Sequence, residues 1–313
     1  VPRRILVTGA AGFVGRHLCA TLRRDDATAE LITPHQGTCD ITDADAVDRL
    51  VAESRPDACV HLAAIAAIPA ARRDPAAAWR VNLDGTLNLA RALLAHAPGA
   101  LLLFAASADI YGASFRGGAA LDEQAVLAPL NTYAATKAAA DLALGALAAE
   151  AGLRVIRLRP FNHTGAGQSA DFVVPAFARQ IARIAAGKQP PVLRVGALDP
   201  QRDFLDVRDV CAAYAACLRL DRAGTPIASG TILNIAGQHP RRIGDILAEL
   251  LARAGVDARI ETQADLLRPS DIPLAAGDAA RARALLDWAP AVPWAQTLDD
   301  VLADWHARVA AEG

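Results

Sequence analysis

Lysine is almost missing from this chain. Of 32 basic residues, only Lys137 and Lys188 are lysines, and the rest are arginines. A bias this strong puts Arg wherever Arg will serve. Each surviving Lys therefore marks a place where a planar fork does not replace a compact ammonium. Tyrosine is equally scarce, with three in the chain. Net charge is small, −2 at pH 7, which removes the electrostatic case for nucleic acid or an anionic membrane as partner. No apolar run approaches the ~20 residues that a bilayer span needs, and His61 and Pro69 interrupt the most hydrophobic stretch. The start lacks the basic, apolar and cleavage-site succession of a secretory signal. The five cysteines, at 19, 39, 59, 211 and 217, are odd in number and have no metal-ligand spacing. They read as small core residues in a reducing cytosol, so the expectation is a cytoplasmic protein without a metal site. Internal repeats and low-complexity linkers are also absent. At 313 residues the chain has room for one large or two modest domains.

Against this background one stretch stands out, Asn131-Thr132-Tyr133-Ala134-Ala135-Thr136-Lys137. Its Ala-rich surroundings favour a helix, and residues four apart on a helix share a face. That spacing puts a phenol beside an ammonium. The cation favours the phenolate, so the expectation is a lowered Tyr133 pKa. A phenol tuned in this way exchanges a proton near neutral pH. The reaction that fits is carbonyl–alcohol interconversion, with a cofactor carrying the hydride. A solvated Lys beside a half-buried Tyr is the plain alternative, and the rest of the chain decides between them.

Residues 3–8 read as a buried strand, followed by Gly9-Ala10-Ala11-Gly12-Phe13-Val14-Gly15 and a helical pattern through Leu22. Strand, glycine turn and helix together are the context of a dinucleotide-binding turn. Gly9 permits the turn, Gly12 lets backbone N–H groups approach a pyrophosphate, and Gly15 lets the helix pack on the strand. The pattern then alternates. Strand Glu30–Thr33 precedes a helix over Asp43–Glu53, and strand Ala58–Leu62 precedes a helix from about Pro75 to His96. Strand Ala100–Ala105, the Tyr133 helix and strand Leu153–Arg159 follow. This alternation predicts an α/β fold, a Rossmann-type doubly wound parallel sheet, with ligands at the carboxyl ends of the strands. Gly9, Leu62-Ala63-Ala64 and Ser107 fall at such ends. The second strand runs into Thr33-Pro34-His35-Gln36, with no acid to repel a 2′-phosphate. His35 and Arg16 are candidates to approach one, which favours NADP(H) while leaving NAD(H) possible. Asp40-Ile41 suits the adenine edge, or Asp40 simply belongs to the approach to a helix that Thr42 or Asp43 caps.

Thr8 to Gly15, His61-Leu62-Ala63-Ala64, Val81-Asn82-Leu83-Asp84-Gly85-Thr86, Ser107 ahead of Tyr111-Gly112, and Tyr133 with Lys137 resemble the extended short-chain dehydrogenase/reductases. Downstream, residues 159–168, 171–175, 195–210 and 268–273 resemble the GDP-4-keto-6-deoxy-mannose reductases within that group. The resemblance covers essentially the whole chain. It implies reduction of a GDP-linked 6-deoxyhexose, GDP-4-keto-6-deoxy-D-mannose, to GDP-D-rhamnose. It implies that Tyr133 donates a proton to O4, that Lys137 holds the nicotinamide ribose, and that Ser107 hydrogen-bonds the same oxygen. By the same resemblance Gly9, Gly12, Phe13, Val14, Arg16, His35, Asp40, Ile41, Leu62, Ala63, Ala64 and Asn82 attend the dinucleotide. Ser107, Asp109, Asn162, Val173, Arg179, Arg202, Arg268 and Asp271 attend the nucleotide sugar. Arg suits phosphate through its bidentate fork.

Two departures from the related dehydratases favour the reductase. Asp109 stands where those enzymes carry a longer Glu that works as a base, and the cofactor loop after the second strand is short. Because a carboxylate is still present at 109, GDP-mannose 4,6-dehydratase or another epimerase/dehydratase activity stays open, as does the C4-epimeric product GDP-6-deoxy-D-talose. The expected division is residues 1–160 with 203–236 as the dinucleotide domain, and 161–202 with 237–313 as the substrate lobe. Family habit implies a homodimer through helices at about 84–97 and 132–150.

Overall fold

The computed structural model describes residues 2–35, 37–225, 227–266 and 272–312. The expected alternation is present. In chain order, β1 (Arg4–Thr8), α1 (Phe13–Asp25), β2 (Glu30–Ile32), α2 (Ala44–Ser54) and β3 (Ala58–His61) form the first units. Next come α3 (Ile68–Arg73), α4 (Pro75–Trp79), α5 (Gly85–His96), β4 (Leu101–Ala105), α6 (Thr132–Ala151) and β5 (Val155–Pro160). The remainder comprises β6 (Asn162–Thr164), α7 (Val173–Ala185), β7 (Val192–Val195), β8 (Gln201–Asp206), α8 (Val207–Arg222) and β9 (Thr231–Ile235). It closes with β10 (Pro240–Arg242), α9 (Ile243–Ala254), β11 (Arg259–Thr262), β12 (Leu274–Ala275), α10 (Ala280–Leu286) and α11 (Trp294–Ala310). Among the described residues no helix is long and apolar enough to cross a membrane.

Six strands make one parallel sheet in the order β2-β1-β3-β4-β5-β9. Parallel strands covered on both faces read as continuous apolar runs, and β4, Leu-Leu-Leu-Phe-Ala, is such a run. One face packs on α1 and α8 through Leu18, Leu22, Val210 and Tyr214. The other packs on α2, α5 and α6 through Val47, Val51, Leu89, Leu93 and Leu144. The chain leaves β1 toward β2 on one side and returns to β3 on the other. The strand order therefore reverses between β1 and β3, the crevice in which open α/β sheets hold ligands.

The helix expected over Pro75–His96 is broken into pieces. Asp74 caps α4, its carboxylate accepting from Ala77 N at 2.8 Å, and Pro75 takes the first helical position, where its missing N–H costs nothing. A π-helical turn over Arg80–Asp84 then joins α4 to α5. Hydrophobic periodicity does not reveal such a turn, because its extra residue leaves the apolar stripe on both sides intact.

Part of the second half builds a smaller sheet and a third core. β8 pairs with β6, β10 and β12, and α7, α9 and α11 enclose a third core around Phe177, Ile181, Leu247, Leu298 and Trp305. The expected division is crossed twice. β8 spans the boundary at 203 because its partners are all strands of the small sheet. Residues 275–288, expected in the substrate lobe, bury Ala275, Ala282, Leu286 and Trp288 in the core shared with α8. Asp209 at the start of α8 fixes this return, since its carboxylate accepts from Ala291 N at 2.9 Å and its carbonyl from Trp288 Nε1 at 3.0 Å.

Candidate active site

β1 and β3 end side by side, and the residue after each strand forms one wall of the site. Gly9 has φ +72, and a Cβ there would lie 2.7 Å from Ala63 N, so only glycine lets the two strand ends come this close. A Cβ at Gly15 would lie 2.2 Å from Gly9 O, so α1 rests directly on the turn. The Gly12 N-cap offers no side chain to the first turn of α1, and that turn holds no acid. The leading N–H groups of the helix, at Phe13, Val14 and Gly15, are thereby left to an anion at the positive end of the helix. Arg16 ties the turn to the loop after β6, its Nη1 donating to Ala11 O at 2.7 Å and its Nη2 to Gly167 O at 3.0 Å.

Behind this wall lies a line of buried polar groups. Ala63 N donates to Thr8 Oγ1 (3.3 Å), which donates to His61 Nδ1 (2.7 Å). His61 Nε2 donates to Thr86 Oγ1 (2.9 Å), which donates to Asn82 O (2.7 Å). Both threonine hydroxyls have one proton, so this direction of donation fixes the imidazole tautomer. Burial, with Lys137 as a lesser cause, pushes the His61 pKa down to about 3, and the ring stays neutral. Asn82 was expected at the cofactor. Its amide donates to Ile65 O (3.1 Å) and Thr136 Oγ1 (2.9 Å), and its Oδ1 accepts from Ile65 N (2.8 Å). The π turn aims the amide this way and clamps the segment after β3 to α6.

The chemistry-bearing group forms where β4 ends against the first turns of α6. Asn131 caps α6, accepting from Ala134 N at 2.9 Å, which sets Tyr133 in the first turn and Lys137 one turn on. Ser107 lies close enough to Tyr133 to lower the phenol's pKa, and Asp109 lies close enough to act on it by charge. Ser107 Oγ also accepts from Asp109 N at 3.1 Å, so the loop and the hydroxyl fix each other. Lys137 is buried, its Nζ 4.5 Å above the Phe104 ring.

The expected lowering of the Tyr133 pKa is overturned. Burial pushes the phenol well above its ordinary value, Asp109 pushes it further, and Ser107 pulls only partly back. The same burial pushes Lys137 down to about 7, with Asp141 opposing. Spacing alone foretold the pair. It could not foretell that withdrawal from water would outweigh the attraction between the two groups.

The other anticipated residues scatter. Leu62 and Ala64 are half-buried beside Ala63 in the switch-point crevice. Asp40 is exposed and accepts from Thr42 N and Thr42 Oγ1, both at 2.9 Å, while Asp43 caps α2. Ile41 packs against Gly85, where a Cβ would lie 2.8 Å from it. His35 is exposed, and its ring nitrogen accepts from Gly37 N at 3.1 Å. Asn162 and Arg179 are exposed, and Val173 opens α7. Arg202 Nη1 donates to Gln201 O (2.7 Å) and Ile272 O (3.2 Å), bracing β8 against the segment before β12. Arg268 and Asp271 lie outside the described residues. His163 stacks on Phe13, centroids 6.3 Å apart, and its Nδ1 donates to Phe161 O at 2.9 Å. Reading the sequence missed the charged layer under the site, Asp141 with Arg157 and Arg159. The position of Asp141, four after Lys137, was the available signal.

Known proteins resemble this chain over nearly its whole length. Residues 5–236 match the family described as the NAD dependent epimerase/dehydratase family. The chain is 37% identical over 311 residues, 99% of each chain, to GDP-6-deoxy-D-mannose reductase of Pseudomonas aeruginosa. It is 32% identical over 210 residues to GDP-6-deoxy-D-talose 4-dehydrogenase of Aggregatibacter actinomycetemcomitans, covering 66% of this chain and 67% of that one. Among solved structures it is similar to RMD from Pseudomonas aeruginosa complexed with NADPH, with TM-score 0.86, 36% identity, and coverage of 98% of this chain and 99% of that one.

Proposed function

Because this chain belongs to the NAD dependent epimerase/dehydratase family, we propose that it is an NAD(P)H-dependent oxidoreductase. It reduces the 4-keto group of GDP-4-keto-6-deoxy-D-mannose to give GDP-D-rhamnose. The full-length likeness to a GDP-6-deoxy-D-mannose reductase supports this substrate, and the likeness to an NADPH complex supports NADPH as coenzyme. The observation that supports the reading is Tyr133 in the first turn of α6, acted on by Ser107 and Asp109, with the buried Lys137 one turn further along the same helix.

The chain fits a dinucleotide. A Cβ at Gly9 or Gly15 would meet backbone, so the glycines let β1, β3 and α1 close tightly around the uncapped first turn of α1, which suits a pyrophosphate. Phe13, Val14 and Arg16 flank that turn, Leu62 to Ala64 line the crevice, and Asp40, Ile41 and His35 lie toward the adenosine end. When bound, the coenzyme supplies a hydride. Tyr133 holds a proton throughout the neutral range, because burial and Asp109 keep it a phenol. It is therefore loaded as a general acid for a carbonyl oxygen that becomes an alkoxide. Ser107 donates a second hydrogen bond to that oxygen and stabilises the developing charge. The Lys137 ammonium, held between Phe104 and the Asp141 side of α6, orients the ribose and lowers the cost of charge on the oxygen. Asp109, Asn162, Val173, Arg179 and Arg202, with Arg268 and Asp271, contact the nucleotide sugar. The protein acts in the cytoplasm, which suits its five buried free cysteines. It pairs through α5 and α6, where Leu142 is 59% exposed.

Incubation with GDP-4-keto-6-deoxy-D-mannose and NADPH tests the reading, with absorbance reporting oxidation of the coenzyme. Turnover is expected, and no oxidation with either nicotinamide coenzyme rejects the proposal. Asp109 beside Tyr133 favours a second reading, a dehydratase acting on GDP-mannose with no net use of coenzyme. Asp109→Asn then abolishes turnover of GDP-mannose. The likeness to a talose dehydrogenase favours GDP-6-deoxy-D-talose as the alternative product, and proton couplings at C4 distinguish the two sugars.

A further inference from the structure

Tyr133, Lys137, Asp141 and Gly145 follow one another at four-residue intervals along a single face of α6. The first two belong to the reaction proposed above. The other two lead down into a charged layer that the reaction does not obviously need. Asp141 is fully buried. Its Oδ1 accepts from Arg157 Nη1 at 3.0 Å and from Arg159 Nη2 at 2.9 Å, and its Oδ2 accepts from Arg159 Nε at 3.1 Å. Gly145 explains how Arg157 reaches this place, since a Cβ there would lie 2.6 Å from Arg157 Nη1. A glycine inside a helix is destabilising relative to alanine. The helix accepts that cost where the guanidinium crosses it.

The layer also reaches back to the other half of the site. Arg159 Nη1 donates to Tyr111 Oη at 2.9 Å and to Glu123 O at 3.2 Å. Tyr111 lies four residues after Ser107 and is fully buried, and its hydroxyl donates to Asn234 Oδ1 of β9 at 2.7 Å. One guanidinium therefore joins the Ser107 segment to α6 from beneath.

We propose that Asp141 is a positioning residue: one turn behind Lys137 on the same helix face it keeps that ammonium charged, and through Arg159 and Tyr111 it holds the Ser107 segment in register with Tyr133. Removing a buried partner leaves the remaining charges uncompensated, and here they are three cations around one carboxylate. The charge that acts on Lys137 is Asp141 from its own helix, His61 from β3 lies near enough to feel the ammonium, and Arg157 and Arg159 from β5 bind the Asp141 carboxylate. Arg72, Arg73, Arg80, Asp84 and Arg91, on the elements packed against α6, are exposed. Asp141 is thus the carboxylate on the protein side of Lys137, and it is the charge that opposes the depression of Lys137 to about 7.

The scarcity of lysine makes the test direct. With lysine labelled at the ε-carbon with 13C, the protein gives two signals, from Lys137 and Lys188. Lys137 is identified by the ring current of Phe104, and Lys188 serves as an internal reference. The titration uses protein without coenzyme or substrate, so it reads this inference whether or not the reductase reading stands. Conversely, a failure to oxidise NADPH rejects that reading and leaves the titration untouched. The expected midpoint for Lys137 is near 7. Asp141→Asn moves it down by about one pH unit or more, with Lys188 unmoved, and Asp141→Glu restores it. Arg157→Gln, which frees the carboxylate from one competing cation, moves it up. In the active enzyme the basic limb of kcat/KM moves with the NMR midpoint, whereas a merely structural residue would lower activity at every pH without moving the limb. The proposal is overturned by a folded Asp141→Asn protein whose Lys137 midpoint is unchanged. If that variant does not fold, it is overturned by an Arg157→Gln protein whose midpoint does not move.

Discussion

At pH 7 the two members of the Tyr133–Lys137 pair stand in different states. The phenol is held well above its ordinary pKa and keeps its proton, while the ammonium, pushed down to about 7, is half charged. Reduction needs the phenol loaded and the ammonium charged. The ammonium is fully present below its folded pKa and is lost as pH rises through it, so turnover is expected to fall above about pH 7. A pH profile of kcat/KM checks this, and a profile flat to pH 9 contradicts it. Tyr133→Phe is expected to lower kcat by about 10²–10⁴ with NADPH affinity kept, read by single-turnover kinetics and fluorescence titration. His61 carries the acid side. Its folded pKa, about 3, lies below the ordinary 6.5. The unfolded chain therefore binds a proton that the folded chain refuses, and stability falls as pH drops from 6.5 toward 3. Thermal unfolding across that range should show a shallower decline in His61→Gln than in the parent. Ser107, Tyr133 and Lys137 were legible in the sequence because a turn and a four-residue spacing are local. The direction of the Tyr133 shift was not, because it depends on burial supplied by elements far away in the chain. The partners of the Asn82 amide were not legible either, since Ile65 and Thr136 lie on other segments.

The glycine turn and α1 form a unit whose geometry is dictated from within. A methyl group at Gly15 would meet Gly9 O at 2.2 Å and Ala10 Cα at 2.6 Å, both of them backbone atoms that have nowhere to move. Gly15→Ala is therefore expected to destabilise by about 1–3 kcal/mol and to weaken NADPH binding, as read by melting temperature and fluorescence titration. Gly99→Ala is the control, since its Cβ would meet nothing within 4 Å, and it should leave both readings unchanged. Most elements were legible because their signals are periodic and bounded by turns. β8 and the pieces between Pro75 and His96 were not. The first takes its partners β6, β10 and β12 from distant segments, which nothing local declares, and the π turn keeps the apolar stripe on both sides of it.

On the scale of the whole molecule, a short loop after β6 ties α1 to α11. Residues 164–168 are held to α1 by Arg16 and by His17, whose Nε2 donates to Ala166 O at 2.8 Å. They are held to α11 by Asp304, which accepts from Gly167 N at 2.9 Å, and by Arg308, which donates to Gln168 O at 3.3 Å. This three-way tie was not legible, since its members are separated by well over a hundred residues. The lobe boundaries were legible only to the extent that the strand–helix alternation stops near Phe161, and the return of residues 275–288 to the first core gave no sequence signal. The pairing proposed through α5 and α6 rests on a face that leaves Leu142 open. Leu142→Arg is expected to convert the dimer to a monomer in sedimentation analysis, and a dimer that persists moves the contact elsewhere. The central claim, that Tyr133 protonates a C4 ketone as a nicotinamide hydride arrives there, is tested most directly by isotope tracing. NADPH deuterated at the transferring position of the nicotinamide ring is incubated with GDP-4-keto-6-deoxy-D-mannose and the protein, and the sugar is examined by NMR. The expected result is one deuterium at C4 of GDP-D-rhamnose, formed at a rate that collapses in Tyr133→Phe. Deuterium at any other carbon, none in the sugar, or an undiminished rate in that variant contradicts the account.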